Sequence, residues 1–127
     1  MYDIAIIGCG VSGAACAYYL SRYKLKIAVI EKNNDVCCAS TKANSALINA
    51  GYDPKPDSNE GKYNVRGNAL CKEICAKLDV PFNQIGSLVV AFSEAEMETV
   101  KVLYDRGIAN GVPDMEILDQ AQLRERE

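Results

Sequence analysis

The sequence predicts an α/β fold that opens with a βαβ unit, and three observations carry that prediction. Ile4-Ala5-Ile6-Ile7 is a short, almost wholly branched apolar run, the pattern of a strand covered on both faces. It leads directly into Gly8-Cys9-Gly10-Val11-Ser12-Gly13, with glycines in the spacing G-x-G-x-x-G. A second apolar run, Ile27-Ala28-Val29-Ile30, closes on the acid Glu31, about 20 residues beyond the glycines, as the motif requires.

Each residue type has a physical reason. Gly8 permits the tight turn out of the strand, Gly10 lets the backbone approach a pyrophosphate, and Gly13 allows helix and strand to pack closely. A helix starting near Val11 and Ser12 presents unpaired N–H groups and the positive end of its dipole, so an anion is favoured there. Ala14, Ala15, Ala17 and Leu20 make a helix slim enough to lie against a sheet. Glu31 stands where a carboxylate accepts hydrogen bonds from a ribose. Together these features predict a Rossmann-like, FAD/NAD(P)-binding start of a doubly wound parallel sheet. NAD, NADP and FAD share the adenosine diphosphate involved, so the fingerprint leaves the choice among them open. Lys32 could meet a 2′-phosphate, but Glu31 beside it would repel one.

The next segment, Ala39 to Asp53, is rich in small polar side chains that an ordinary connector does not need. Ser40-Thr41-x-x-Asn44-Ser45 is followed by Ala50-Gly51 and Pro54-x-Pro56. Farther on come Asn64-Val65-x-Gly67-Asn68, Val80-Pro81-Phe82 and Ile85-Gly86-Ser87-Leu88-Val89-Val90-Ala91. This series resembles the D-amino-acid-oxidase-like (DAO) FAD oxidoreductases. Its nearest branch is that of FAD-dependent glycerol-3-phosphate dehydrogenases and L-2-hydroxyglutarate oxidases.

The resemblance implies FAD as cofactor, with Gly8, Gly10, Val11, Ser12 and Gly13 around the pyrophosphate and Glu31 and Lys32 at the adenosine ribose. It places Ser40 and Thr41 at the diphosphate or ribityl side and brings Asn44, Ser45 and Leu47 towards the flavin. It implies hydride transfer from a secondary alcohol or amine to FAD. Glycerol 3-phosphate is the first expected substrate, and an L-2-hydroxy acid or an amino acid is the alternative. Electrons would pass to a quinone or another acceptor, with peripheral membrane contact. One departure matters: Asn49 stands where these families commonly carry a histidine, and the chain has none. An amide takes no proton near neutral pH, so no catalytic residue is assigned.

Composition sets outer bounds. The 127 residues are 49% hydrophobic and 24% charged, with a net charge of −3, ordinary for a globular domain and no basis for binding nucleic acid. No apolar run approaches the roughly 20 residues needed to span a bilayer. The N-terminus enters a strand without a secretory leader, so a cytoplasmic location is expected. Six cysteines include no C-x-x-C pair and no histidine that could complete a zinc site, so no metal is expected. They read as small buried hydrophobes of a reducing compartment. Cys37-Cys38, just beyond a strand tip, leaves room for a redox role.

The remaining elements follow in order. Pro54, Pro56, Asp57 and Ser58 mark a loop and a helix start. Tyr63, Leu70, Ile74, Cys75 and Leu78 favour one face of a helix over 60–78, which Val80-Pro81 ends. Phe82 to Ile85 and Ser87 to Phe92, split by Gly86, predict a hairpin. Ser93-x-x-Glu96 is a capping box opening a helix through Met97, Val100, Tyr104 and Ile108 to Gly111. Met115 to Leu118 predicts a short strand, and Asp119-x-x-Gln122 starts another helix. With only two strands fit for the parallel sheet, the expectation is an N-terminal piece of a larger enzyme, inactive alone. Residues 1–80 would be part of the FAD-binding domain and 81–127 the beginning of an α+β substrate domain. Two other readings remain, an NAD(P)-binding domain and a nucleotide-binding module without chemistry.

Overall fold

The structure, a computed structural model, describes residues 1–126 and divides into two compact units, Met1–Leu47 and Ile48–Glu127. The first unit contains β1 (Ile4–Ile7), α1 (Val11–Leu20) and β2 (Ile27–Ile30). The strands are parallel, with Ile4 opposite Ile27 and Ile7 opposite Ile30. Beyond the last pair, the Gly8 N–H donates to the Ile30 carbonyl at 2.7 Å, carrying the pairing into the glycine turn. At the other end the Asp3 N–H donates to the Lys26 carbonyl (2.9 Å), and the Lys26 N–H donates to Asp3 Oδ2 (2.8 Å). This double link fixes the register where the strands begin.

Gly13, Ala17 and Leu20 form the half-buried stripe of α1, the i, i+4, i+7 spacing of one helical face. Ile4 and Ile6 are half-buried while Ala5 and Ile7 are exposed. Only one face of β1 is therefore covered among the described residues, whereas its apolar run predicted two. A two-stranded sheet with one helix has nothing for its second face.

The second unit contains α2 (Asn59–Lys77), α3 (Glu94–Asn110) and α4 (Gln120–Arg126). Ser58 caps α2 by accepting from the Gly61 N–H at 3.1 Å. Ser93 caps α3 by accepting from the Glu96 N–H (3.3 Å), while Glu96 reaches back to accept from the Phe92 N–H (2.7 Å). Gly111, at φ 79°, ends α3 in the left-handed conformation that favours glycine. Asp119 and Gln122 exchange backbone-to-side-chain bonds of 2.9 Å each at the start of α4. All three helix starts were legible in the sequence, that of α3 as a capping box.

The buried residues of this unit, Gly51, Pro54, Gly61, Gly107 and Val112, lie where the 51–54 loop, the start of α2 and the end of α3 meet. Asn110 on α3 donates through Nδ2 to the carbonyls of Gly51 and Pro54, both at 2.9 Å. Arg106 donates to the Asp53 carbonyl at 3.1 Å. The loop thus hangs from α3 by side-chain bonds to its own carbonyls.

Three expectations are corrected. Along α2 Gly61 is buried and Val65, Asn68, Cys71, Ile74 and Cys75 are half-buried, so Ile74 and Cys75 lie inward as expected while Tyr63, Leu70 and Leu78 are exposed. Contact with Gly51 and the Asn68 bond to the Asn49 carbonyl (3.2 Å) set the rotation of the helix, and the apolar count does not. Residues 82–92 and 115–118 form no strand and join no ladder among the described residues. Gly86 does turn, at φ 76°, yet two short strands need a third or a covered face to hold. Finally, Cys16 and Cys38 are exposed rather than buried, and all six cysteines are free thiols. Among the described residues no group of cysteines and acids could hold a metal, and no helix is long and apolar enough to cross a membrane.

Candidate dinucleotide-binding site

The glycine turn and the tip of β2 enclose a cleft of about 350 Å³. Gly8 takes φ 94°, so the turn needs a residue without a Cβ there. Gly10 has φ −76° and ψ −176°, a backbone any residue adopts, and what excludes a side chain is space. A Cβ on Gly10 would stand 3.0 Å from Thr41 Oγ1. Gly13 is tighter still, because a Cβ there would lie 2.0 Å from the Gly8 carbonyl oxygen. The three glycines thus do three different jobs: conformation, clearance and close packing.

Glu31 ties the turn to β2. Its Oε2 accepts from the Cys9 N–H at 2.8 Å, and its Oε1 accepts from the Asn33 N–H (3.0 Å) and Asn33 Nδ2 (3.1 Å). The Cys9 bond, then the Asn33 backbone bond, holds the carboxyl below its ordinary pKa. A carboxylate has about four acceptor positions, so Oε2 keeps capacity for a ribose hydroxyl. Lys32 lines the same cleft.

Thr41 arrives from the loop after β2 and accepts the Val11 N–H on Oγ1 at 3.0 Å. It caps α1 from 30 residues away, since Gly10 provides no side-chain cap. Ser12 and Gly13 keep their N–H groups unpartnered among the described residues, as expected in a first helical turn. Asn44 holds the loop from inside, donating to the Thr41 carbonyl and accepting from the Ala46 N–H.

The structure therefore brings Gly8, Gly10, Glu31, Lys32 and Thr41 together as walls of one cleft. Val11, Ser12 and Gly13 form the helix mouth beside it. Ser40, Asn44, Ser45 and Leu47 are exposed and outside the lining set. Sequence reasoning did not place Ile7, Ile30, Asn33 and Ala39 at the site and left Cys37-Cys38 as a pair open to a redox role without a part in binding; all six complete the walls. Their signal was position alone, since each adjoins the fingerprint or the strand tip. A more open depression of about 740 Å³ lies in the second unit around Tyr104, Met115 and Glu116. It has no glycine turn and no helix N-terminus of adequate length.

A dinucleotide fits this donor set. The clearance at Gly10, two unpartnered helix N–H groups and a carboxylate with spare acceptor capacity suit a pyrophosphate followed by a ribose. The family model described as FAD dependent oxidoreductase (DAO) matches residues 3–127. The chain belongs to that family. It is 52% identical over 125 residues to a glycerol 3-phosphate dehydrogenase of Caloramator mitchellensis, covering 98% of this chain and 26% of that protein. It is 35% identical over 128 residues to the human mitochondrial L-2-hydroxyglutarate dehydrogenase, covering 99% of this chain and 28% of that one. Among solved structures it resembles a dithionite-reduced L-α-glycerophosphate oxidase of Mycoplasma pneumoniae with FAD bound, at a TM-score of 0.83 and 36% identity. That match covers 98% of this chain and 33% of the other. The likeness shows the fold as the α/β start of a flavoprotein, and the chain spans about a quarter to a third of these relatives.

Proposed function

We propose that this chain supplies the adenosine-diphosphate half of the cofactor site of an FAD-dependent oxidoreductase acting on glycerol 3-phosphate. The observation that carries the reading is the cleft between the glycine turn and Glu31, with Gly10 cleared and the α1 mouth beside it. Membership of the family and 52% identity to a glycerol 3-phosphate dehydrogenase support the substrate. The weaker likeness to L-2-hydroxyglutarate dehydrogenase makes an L-2-hydroxy acid the second reading.

In this proposal Gly8, Gly10, Val11, Ser12 and Gly13 surround the pyrophosphate, while Glu31 and Lys32 take the adenosine ribose. Ser40 and Thr41 lie along the diphosphate or ribityl side, and Asn44, Ser45 and Leu47 approach the flavin. Residues 1–80 belong to the FAD-binding domain and 81–127 open the substrate domain. FAD, when bound, would supply the acceptor for the hydride, and with it the two electrons, leaving a substrate carbon. The protein's part here is to bind and orient. The helix mouth neutralises phosphate charge, Glu31 fixes the ribose, and Thr41 holds the mouth in place. Asn49 gives no base, because its amide takes no proton near neutral pH; its backbone carbonyl accepts from Asn68 Nδ2. A base, a quinone or other electron acceptor, and a cytoplasmic location with peripheral membrane contact complete the proposal for the whole protein.

The test is the visible spectrum of the natively purified full-length protein, followed by dye reduction with glycerol 3-phosphate, L-2-hydroxyglutarate and amino acids. Bound oxidised flavin and turnover of glycerol 3-phosphate are expected. A colourless protein that binds pyridine nucleotide would overturn the reading. Turnover of the hydroxy acid alone would replace the substrate and leave the cofactor standing.

A further inference from the structure

The cleft has a feature that dinucleotide binding does not require: Cys37 and Cys38 both line it. Neighbours along an extended chain face opposite ways, so two consecutive side chains in one groove need a break in the backbone. Cys37 provides it, with φ 59° in the left-handed region, an uncommon conformation for a residue other than glycine, asparagine or aspartate. Two contacts hold it there. Its N–H donates to the Cys9 carbonyl at 3.1 Å, and its Sγ lies 3.6 Å from the same oxygen. Cys9 sits between Gly8 and Gly10, and its own N–H is held by Glu31. The thiol of Cys37 is thus anchored to the glycine turn itself. Cys38, with Sγ 3.6 Å from the Val36 carbonyl, is exposed to solvent beside it.

We propose that Cys37 and Cys38 form a thiol modification site for low-molecular-weight disulfides, and that its occupation excludes the dinucleotide. The inference rests on the cofactor reading above. The step is thiol–disulfide exchange. A cysteine thiolate, having given its proton to water, attacks one sulfur of the small disulfide. A new S–S bond forms, the old one breaks, and the other half departs as a thiolate. The cysteine sulfur is oxidised and the departing sulfur reduced, so the exchange balances. Lys32 and the Glu31 carboxylate both line the cleft, so their opposite charges leave access to the thiols, rather than attraction, to select the disulfide. The group attached would fill a cleft of about 350 Å³ beside the Gly10 clearance. The two consecutive sulfurs make a direct bridge between themselves poor in geometry, whereas mixed disulfides meet no such obstacle.

The experiment uses the full-length protein and glutathione disulfide as probe. Flavin-free protein is treated and then offered FAD; FAD-loaded protein is treated in parallel. Peptide mass mapping locates the adducts, and protein-bound flavin absorbance measures loading. The expected result is an adduct on Cys37 or Cys38 in flavin-free protein, loss of FAD uptake, and recovery with dithiothreitol. FAD-loaded protein should be protected at both positions, while exposed Cys16 reacts equally in the two samples. Cys37→Ala and Cys38→Ala, each read as treated against untreated uptake, identify the responsible thiol. Equal labelling with and without FAD would overturn the inference, as would adducts confined to other cysteines or full FAD uptake by modified protein. An untreated protein that never takes up FAD would overturn the cofactor reading and this inference with it.

Discussion

Gly13→Ala should destabilise the protein, while Gly67→Ala, the same exchange in another helix, should stabilise it. In both helices alanine gains about 1 kcal/mol of helix propensity over glycine. What differs is the space around the new methyl. At Gly67 nothing lies within 4 Å of an added Cβ, so the gain is realised. At Gly13 the methyl would stand 2.0 Å from the Gly8 carbonyl oxygen, where real Cβ atoms keep at least 3.0 Å, and 3.4 Å from Ile6 Cγ2. The obstacle is backbone, not the end of a flexible side chain. α1 must therefore lift from β1, or the glycine turn must move. Overpacking of this kind costs typically 1–3 kcal/mol, occasionally more, and outweighs the propensity gain. The net expectation is a loss of up to about 2 kcal/mol for Gly13→Ala and a gain of up to about 1 kcal/mol for Gly67→Ala. Thermal unfolding of the purified full-length variants, with and without added FAD, reads both. The midpoint should fall for the first and rise for the second. Gly13→Ala at or above the parent's midpoint would refute the close approach and the packing role given to this glycine.

Three further outcomes are expected. Gly10→Val should abolish FAD retention and modestly lower the unfolding midpoint of flavin-free protein, because its backbone suits valine while its side chain would enter the cleft and press on Thr41 Oγ1, the cap of α1; flavin content after gel filtration and thermal unfolding check the two. The lowered pKa of Glu31 means that its contribution is complete above the ordinary carboxyl value of about 4.3 and is lost as pH falls through the depressed one. FAD retention, followed by flavin fluorescence on release, should therefore stay flat from neutral into mild acid and fall only below that, and Glu31→Gln should be weaker at neutral pH with a smaller acid loss. Asn110→Ala should cost about 2 kcal/mol, since it removes the donors for two carbonyls at about 1 kcal/mol each, and Asn110→Asp, which has no donor when ionised, should be no better. Hydrogen exchange at 51–54 and the unfolding midpoint measure it.

The βαβ unit was legible because its determinants are local. Ile4–Ile7, the glycine spacing, Ile27–Ile30 and Glu31 each act within a few residues, and strand, helix and strand appear at those positions. The helix starts were legible for the same reason, since Ser58, Ser93 and Asp119 bond three residues ahead. Residues 82–92 failed as a hairpin because a strand is defined by what lies beside it. The inward face of α2 was legible only at Ile74 and Cys75, because Asn68 and Gly61 face inward for reasons of hydrogen bonding and clearance, which hydropathy does not record. At the site, the glycines and Glu31 were named from a motif, but Cys37 and Cys38 carry none and enter the cleft through a left-handed backbone at Cys37.

What turns the motif into a site is a pair of bonds across long sequence separations. Glu31 holds the turn through the Cys9 N–H, and Thr41 holds the helix mouth through the Val11 N–H. An anion arriving at the cleft therefore meets donors already oriented, and the ordering cost falls on the protein before binding rather than during it. Both bonds use side chains that the family resemblance assigns to ligand contact. Removing either would weaken binding through the order of the turn even where the lost ligand contact is small. A substitution at Glu31 or Thr41 thus reports position and contact together.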